Sequence, residues 1–145
     1  MSAHEHASAP GVGVDIMFVP RMAAILEGPS HETFISRVFT STEIATAEAG
    51  EDRARAYAKI FTAKEAVFKS LGTSWTEGDS FQHIEIQASP FGAPRVGLAG
   101  RFALLAAERE LVGITLSISE DTDYTVAVSL GVRRQTAGSM DTDSG

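Results

Sequence analysis

The chain has 145 residues, 43% hydrophobic and 21% charged, a length and balance that suit one packed domain and exclude a disordered or fibrous protein. Its formal net charge of −7, from 19 acidic residues against 12 basic ones, is opposite to that of a typical nucleic-acid binder. With no cysteine it has no disulfide, no thiolate metal site and no cysteine nucleophile, and the expected compartment leans towards the cytoplasm.

In chain order, Met1 to Pro10 is polar, without a basic leader or a long apolar run, and no later segment approaches the ~18 apolar residues of a membrane span. The expectation is a soluble, non-secreted protein that binds neither membrane nor nucleic acid. His4 and His6 fall in this leader and read as disordered rather than metal-binding. Residues 11–19 alternate, so Val12, Val14, Ile16 and Phe18 share one strand face and Asp15 becomes a lone carboxylate on the opposite, non-core face. Gly11 and Gly13 leave room for a close neighbour, but Ile16 stands where a dinucleotide fingerprint has its third glycine.

Pro20 starts a short helix through Glu27 that Gly28-Pro29 ends, and His31 to Val38 forms a second. Thr40-Ser-Thr-Glu43 is a capping box opening a helix to about Ala49. Asp52 caps the longest helix, roughly Arg53 to Leu71, and Gly72 sits where a left-handed residue closes it. Beyond it, residues 83–88 and 95–99 are short strands around the turn Ser89-Pro-Phe-Gly-Ala-Pro94, and Gly100 to Leu111 is an amphipathic helix. Ile114, Leu116 and Ile118, then Val126, Val128 and Leu130, alternate on either side of Glu120-Asp-Thr-Asp123, which predicts a β-hairpin. The result is a single α+β domain over residues 11–132, an antiparallel sheet packed against a long central helix, with flexible termini at 1–10 and 133–145.

The long helix carries the chemistry. Tyr57, Ile60, Phe61, Val67, Phe68 and Leu71 make one buried stripe, and Lys64 lies in its middle, where an ammonium must snorkel, pair with an anion or sit at an interface. All three lysines, Lys59, Lys64 and Lys69, fall on this helix, so the region is either a solvated surface or a landing place for an anion. Glu65 and Lys69 stand four apart and project together. If the first strand packs beside this helix, Asp15 and Glu65 converge with two lysines, and two carboxylates plus substrate phosphates and water make a typical Mg²⁺ site. His31 and His83 lack ligand-spaced partners and read as structural; Trp75 and Phe81 read as a packing cap before a base-stacking pair. No nucleophile elbow, Walker loop or zincin motif is present.

Gly11-Val-Gly-Val-Asp15-Ile, Phe34 through Glu43, Ala63-Lys-Glu-Ala-Val-Phe-Lys-Ser-Leu-Gly72, His83-Ile-Glu-Ile and Ser117-Ile-Ser occur in order. This set resembles the holo-acyl-carrier-protein synthases, which are 4′-phosphopantetheinyl transferases, over about Val12 to Val132. The Lys-Glu-Ala-Val-Phe-Lys-Ser-Leu-Gly run is especially similar to the transferase domains of fungal-type fatty acid synthases. The resemblance implies the family's α+β fold and Mg²⁺-dependent transfer of 4′-phosphopantetheine from coenzyme A to a serine of an apo acyl carrier protein or carrier domain of a fatty acid or polyketide synthase, releasing 3′,5′-ADP. It implies that Asp15 and Glu65 ligate the metal, that Lys69 contacts the phosphates and stabilises the leaving group, and that Lys64 helps bind coenzyme A. By the same resemblance Gly72 and Thr73 line the nucleotide site, Arg21 meets the acidic carrier protein, and the chain forms a homotrimer with sites between subunits. Glu65, directly or through a water, is the candidate base.

Three positions depart from the family's pattern. Ile60 stands where an arginine is frequent, Glu120 where a histidine is frequent, and Ser74 where Gly-Thr-Gly ends in glycine; the first two remove bases from the nucleotide end. A non-catalytic carrier-protein-binding module of the same fold is the alternative these losses leave open.

Overall fold

The computed structural model describes residues 11–134, so the leader with His4 and His6 and the tail from residue 135 lie outside the described residues. The first strand, β1 (Val12–Phe18), runs into α1 (Val19–Glu27), with Pro20 in the first turn of the helix, and α2 (His31–Val38) follows. At α3 (Ser41–Glu48) both halves of the capping box form: the Glu43 amide donates to Thr40 Oγ1 and the Thr40 amide to Glu43 Oε1. Asp52 caps α4 (Arg53–Ser70) by accepting from the Arg55 amide. Gly72 follows at φ +62°, a left-handed conformation that favours glycine.

Strands β2 (Ile84–Gln87) and β3 (Arg95–Leu98) pair antiparallel around the proline-rich turn. After α5 (Gly100–Glu108), β4 (Leu111–Asp121) and β5 (Tyr124–Arg133) form the expected hairpin, and β1 adds antiparallel to β5, giving the order β1-β5-β4. No helix among the described residues is long and apolar enough to cross a membrane.

Helix α4 is buried on two sides for two different reasons. Its large residues Tyr57, Ile60, Val67 and Leu71 fill the core as the stripe predicts. Its small residues Thr62, Ala66 and Ser70, four apart, seat it against the sheet: Thr62 Oγ1 lies 2.8 Å from Thr125 Oγ1 and Ser70 Oγ lies 2.9 Å from Ser129 Oγ. A Cβ on Gly13 would stand 1.9 Å from the Ala66 carbonyl oxygen, so only glycine lets strand and helix backbones approach this closely.

That seat corrects the expected facing of β1. Gly13, Asp15 and Met17 face α4, whereas Val12, Val14, Ile16 and Phe18 point outwards; Asp15 therefore lies on the packed side of the sheet. In β5 too, Thr125, Ala127 and Ser129 face the helix while Val128 and Leu130 are exposed. Alternation identifies two faces without saying which one a helix will cover, and here the helix takes the face with the smaller side chains. In β4 the expected face holds, with Leu116 buried and Ile114 and Ile118 half-buried.

Candidate active site

The close seat of β1 on α4 brings Asp15 against Glu65. Burial, followed by the charge of the neighbouring Asp15 carboxylate, pushes Glu65 up to about 7, against the opposing pull of Lys69 and Arg21. Lys69 Nζ donates to Asp15 Oδ1 at 3.0 Å and to the Val14 carbonyl at 3.1 Å, wrapping round the outer edge of β1. The Asp15 side chain is 12% exposed and that of Lys69 51%, so the cluster opens to solvent on its cationic side.

Two carboxyl groups brought side by side next to an ammonium are an oxygen-donor pair suited to a hard divalent cation. Among the described residues no group of three or more acidic, histidine or cysteine side chains gathers to hold a metal. A pair of protein carboxylates fits Mg²⁺, which keeps waters and takes phosphate oxygens rather than a full protein cage. Arg21, exposed in the first turn of α1, acts electrostatically on Glu65 and so borders the same site.

Lys64 does not join them. Its side chain is fully buried, and its ammonium donates to Glu43 Oε1 at 2.6 Å, the Ile84 carbonyl at 2.5 Å and the Phe81 carbonyl at 2.8 Å. All three N–H donors are used inside the protein, so the expectation that Lys64 touches coenzyme A is corrected: of the three outcomes open to it, pairing with an anion is the one realised. The anion is the capping-box glutamate, whose other oxygen accepts from the Ile86 amide at 2.7 Å. Burial lowers the Lys64 pKa, and Glu43 opposes that shift.

Gly72 and Thr73 follow Lys69 in the turn beyond α4. Thr73 is held by a residue that sequence reasoning missed: Arg101 Nη1 donates to Thr73 Oγ1 at 3.0 Å and Nη2 to the Ser74 carbonyl at 2.9 Å. The same guanidinium grips Asp79 through Nε and Nη2, which holds that carboxyl well below the usual range. Two isolated opposite charges 22 positions apart carry no pattern that finds such a clasp. Trp75 and Phe81 pack with Phe68 and Phe102 in one aromatic cluster, the packing role expected of them.

On the opposite flank of α4, towards β4, lies a cavity of about 350 Å³ lined by residues that include Lys59, Ile60, Ile86, Ser89, Pro94 and Ile118. At this end the bases of α4 are paired: Arg53 with Glu48, Arg55 with Asp52, and Lys59 with Glu120 at 3.2 Å. Two of the departures noted in the sequence thus fall in one place.

A family model described as the 4′-phosphopantetheinyl transferase superfamily matches residues 11–129. The holo-[acyl-carrier-protein] synthase of Verminephrobacter eiseniae is 38% identical over 122 residues, covering 82% of this chain and 90% of that protein. Its counterpart in Caldanaerobacter subterraneus is 40% identical over 121 residues, covering 83% and 93%. Among solved structures, the holo-ACP-synthase of Plasmodium yoelii superposes with a TM-score of 0.72 at 35% identity, covering 86% of this chain and 95% of its own. A Chronobacterium ammoniagenes ACPS–CoA complex superposes at 0.71 with 28% identity, covering 88% and 99%.

Proposed function

This chain belongs to the 4′-phosphopantetheinyl transferase superfamily, and on that premise we propose that it moves 4′-phosphopantetheine from coenzyme A to a serine hydroxyl of an apo acyl carrier protein, releasing 3′,5′-ADP. The observation that carries this reading is the Asp15–Glu65–Lys69 cluster at the edge of β1. Asp15 and Glu65 would hold Mg²⁺, which supplies neutralisation of the diphosphate and Lewis acidity at the attacked phosphorus. The serine oxygen forms the new P–O bond and gives up its proton, for which Glu65, directly or through a water, is the candidate base, as the bond to the nucleotide phosphate breaks, and Lys69 is the group that would meet charge developing on the departing oxygen. Gly72 and Thr73, in the next turn, border the path of the donor, and the Arg101 clasp keeps that border in place. Arg21 docks the acidic carrier protein by charge rather than by buried contact.

The resemblance implies a homotrimer, and the outer sheet face supports burial between copies. Val12, Val14 and Ile16 of β1 and Val128 and Leu130 of β5 are 40–60% exposed side by side, an unusual concentration of apolar side chains for a surface. The acid pair and the cavity lie on opposite flanks of α4. A donor that reaches from one protomer's acids into a neighbour's cavity would use both, and apolar walls with a few polar groups suit a nucleobase. The cytoplasm is the compartment we assign, supported by the absence of cysteine.

The test is mass spectrometry of apo carrier proteins incubated with the protein, coenzyme A and Mg²⁺. Gain of a phosphopantetheine mass on the acceptor serine is the expected result; no gain across several carrier proteins overturns the reading.

A further inference from the structure

We infer that the Lys59–Glu120 ion pair makes this transferase nearly indifferent to the 3′-phosphate of its donor. The inference rests on the reading above, in which the nucleotide end of coenzyme A occupies the cavity on the β4 flank.

That cavity has apolar walls from Ile60, Ile86, Pro94 and Ile118 and hydroxyls from Thr46 and Ser89, and Lys59 is the only cation among its lining residues. A ribose phosphate entering with the base would ordinarily gain from such a lysine. Here the ammonium already lies 3.2 Å from Glu120 Oε1, and both side chains are partly exposed, at 43% and 34%. An exposed pair of this kind is weak enough to open. Opening it frees one positive charge but leaves a carboxylate beside the incoming dianion, so attraction and repulsion largely cancel. The neighbouring bases give no help, because neither Arg55, which meets Asp52 and the Thr122 carbonyl at 2.7 Å, nor Arg53, which meets Glu48, is among the residues that line the cavity. Ile60, facing the cavity from the next position, adds an apolar wall and no charge. The mouth is therefore close to neutral, and neutral ground does not distinguish a donor with the terminal phosphate from one without it.

The experiment measures transfer to an apo acyl carrier protein from coenzyme A and from 3′-dephospho-coenzyme A, for wild type and Glu120→Gln. The wild-type kcat/KM values are expected to differ by less than about fivefold, and Glu120→Gln to raise the ratio in favour of coenzyme A by about tenfold, through KM rather than kcat. Calorimetric affinities for the two donors should follow the same ratios. A larger wild-type preference for coenzyme A overturns the inference and leaves the transferase reading standing; so does an unchanged ratio in a folded Glu120→Gln. If that variant fails to fold, the wild-type ratio still decides. Transfer from neither donor overturns the transferase reading itself, and this inference falls with it.

Discussion

Lys64 and Glu65 are neighbours on one helix, and each belongs to a cluster of a lysine and carboxylates, yet the two clusters have opposite fates. Around Lys64 every donor and acceptor is matched: the ammonium has three oxygens, and Glu43 spends both oxygens on Lys64 and the Thr40 and Ile86 amides. Around Glu65 the match is incomplete: two carboxyls crowd together, which with burial raises Glu65 to about 7, and the lysine beside them is half in water. The difference teaches how to tell a structural polar cluster from a chemical one. A sealed network with its hydrogen-bonding capacity filled holds a fold together, whereas an open one that crowds two carboxyls together at the solvent is suited to a ligand.

The contrast breaks most visibly if the open cluster is removed. Asp15→Ala and Glu65→Ala are each expected to lower transfer by about 10³-fold or more while the protein stays folded, because the cluster serves the reaction rather than the core. Initial rates and circular dichroism on the same samples check this, and a variant with the wild-type rate at limiting Mg²⁺ contradicts the metal assignment.

The sealed cluster should fail in the reverse sense. Glu43→Ala strands a buried ammonium, and truncating one partner of such a pair typically costs about 3–5 kcal/mol of stability. Urea unfolding measures it; a loss below about 1 kcal/mol would mean that Lys64 finds water or another anion.

Titration sharpens the same comparison. The Glu65 carboxyl is raised from an ordinary 4.5 to about 7 by burial and by Asp15, so the folded chain binds a proton more tightly than the unfolded chain. Between those values the metal-free protein loses stability as pH rises, and the full penalty is present above about 7. Glu65→Gln should remove this slope, melting higher than wild type at about pH 8 and no higher at about pH 5, while Mg²⁺ should stabilise wild type more at the higher pH. Equal melting curves for the two proteins at both pH values would show that the carboxyls do not interact.

The smallest effect is expected at the rim. Arg21→Ala should raise KM for the carrier protein by about threefold to tenfold, more at low ionic strength because charge docking is screened by salt. Steady-state kinetics at two salt concentrations test it, and an unchanged salt dependence counts against the role.

Much of this was legible from residues alone where the signal is local. The capping box at Thr40 and Glu43, the Asp52 cap, the left-handed Gly72 and the 114–130 hairpin depend on neighbours a few positions apart, and they stand as expected. The pairing of Asp15 with Glu65 could be read as a conditional, since it needs only that β1 lie on α4. The misreadings were non-local. Nothing near Lys64 announces Glu43, 21 positions earlier, and nothing near Thr73 announces Arg101, 28 positions later.

What the sequence alone determined is the set of elements and the residue types that carry charge, because hydrogen-bonded caps, turns and periodic apolar side chains act over a few residues of chain. Which face of β1 is covered, which lysine is sealed and which is open were decided only in three dimensions. Helix α4 lies on the face where Gly13 admits its backbone and leaves Val12, Val14 and Ile16 outward, a choice that exists only once α4 is laid on the strand.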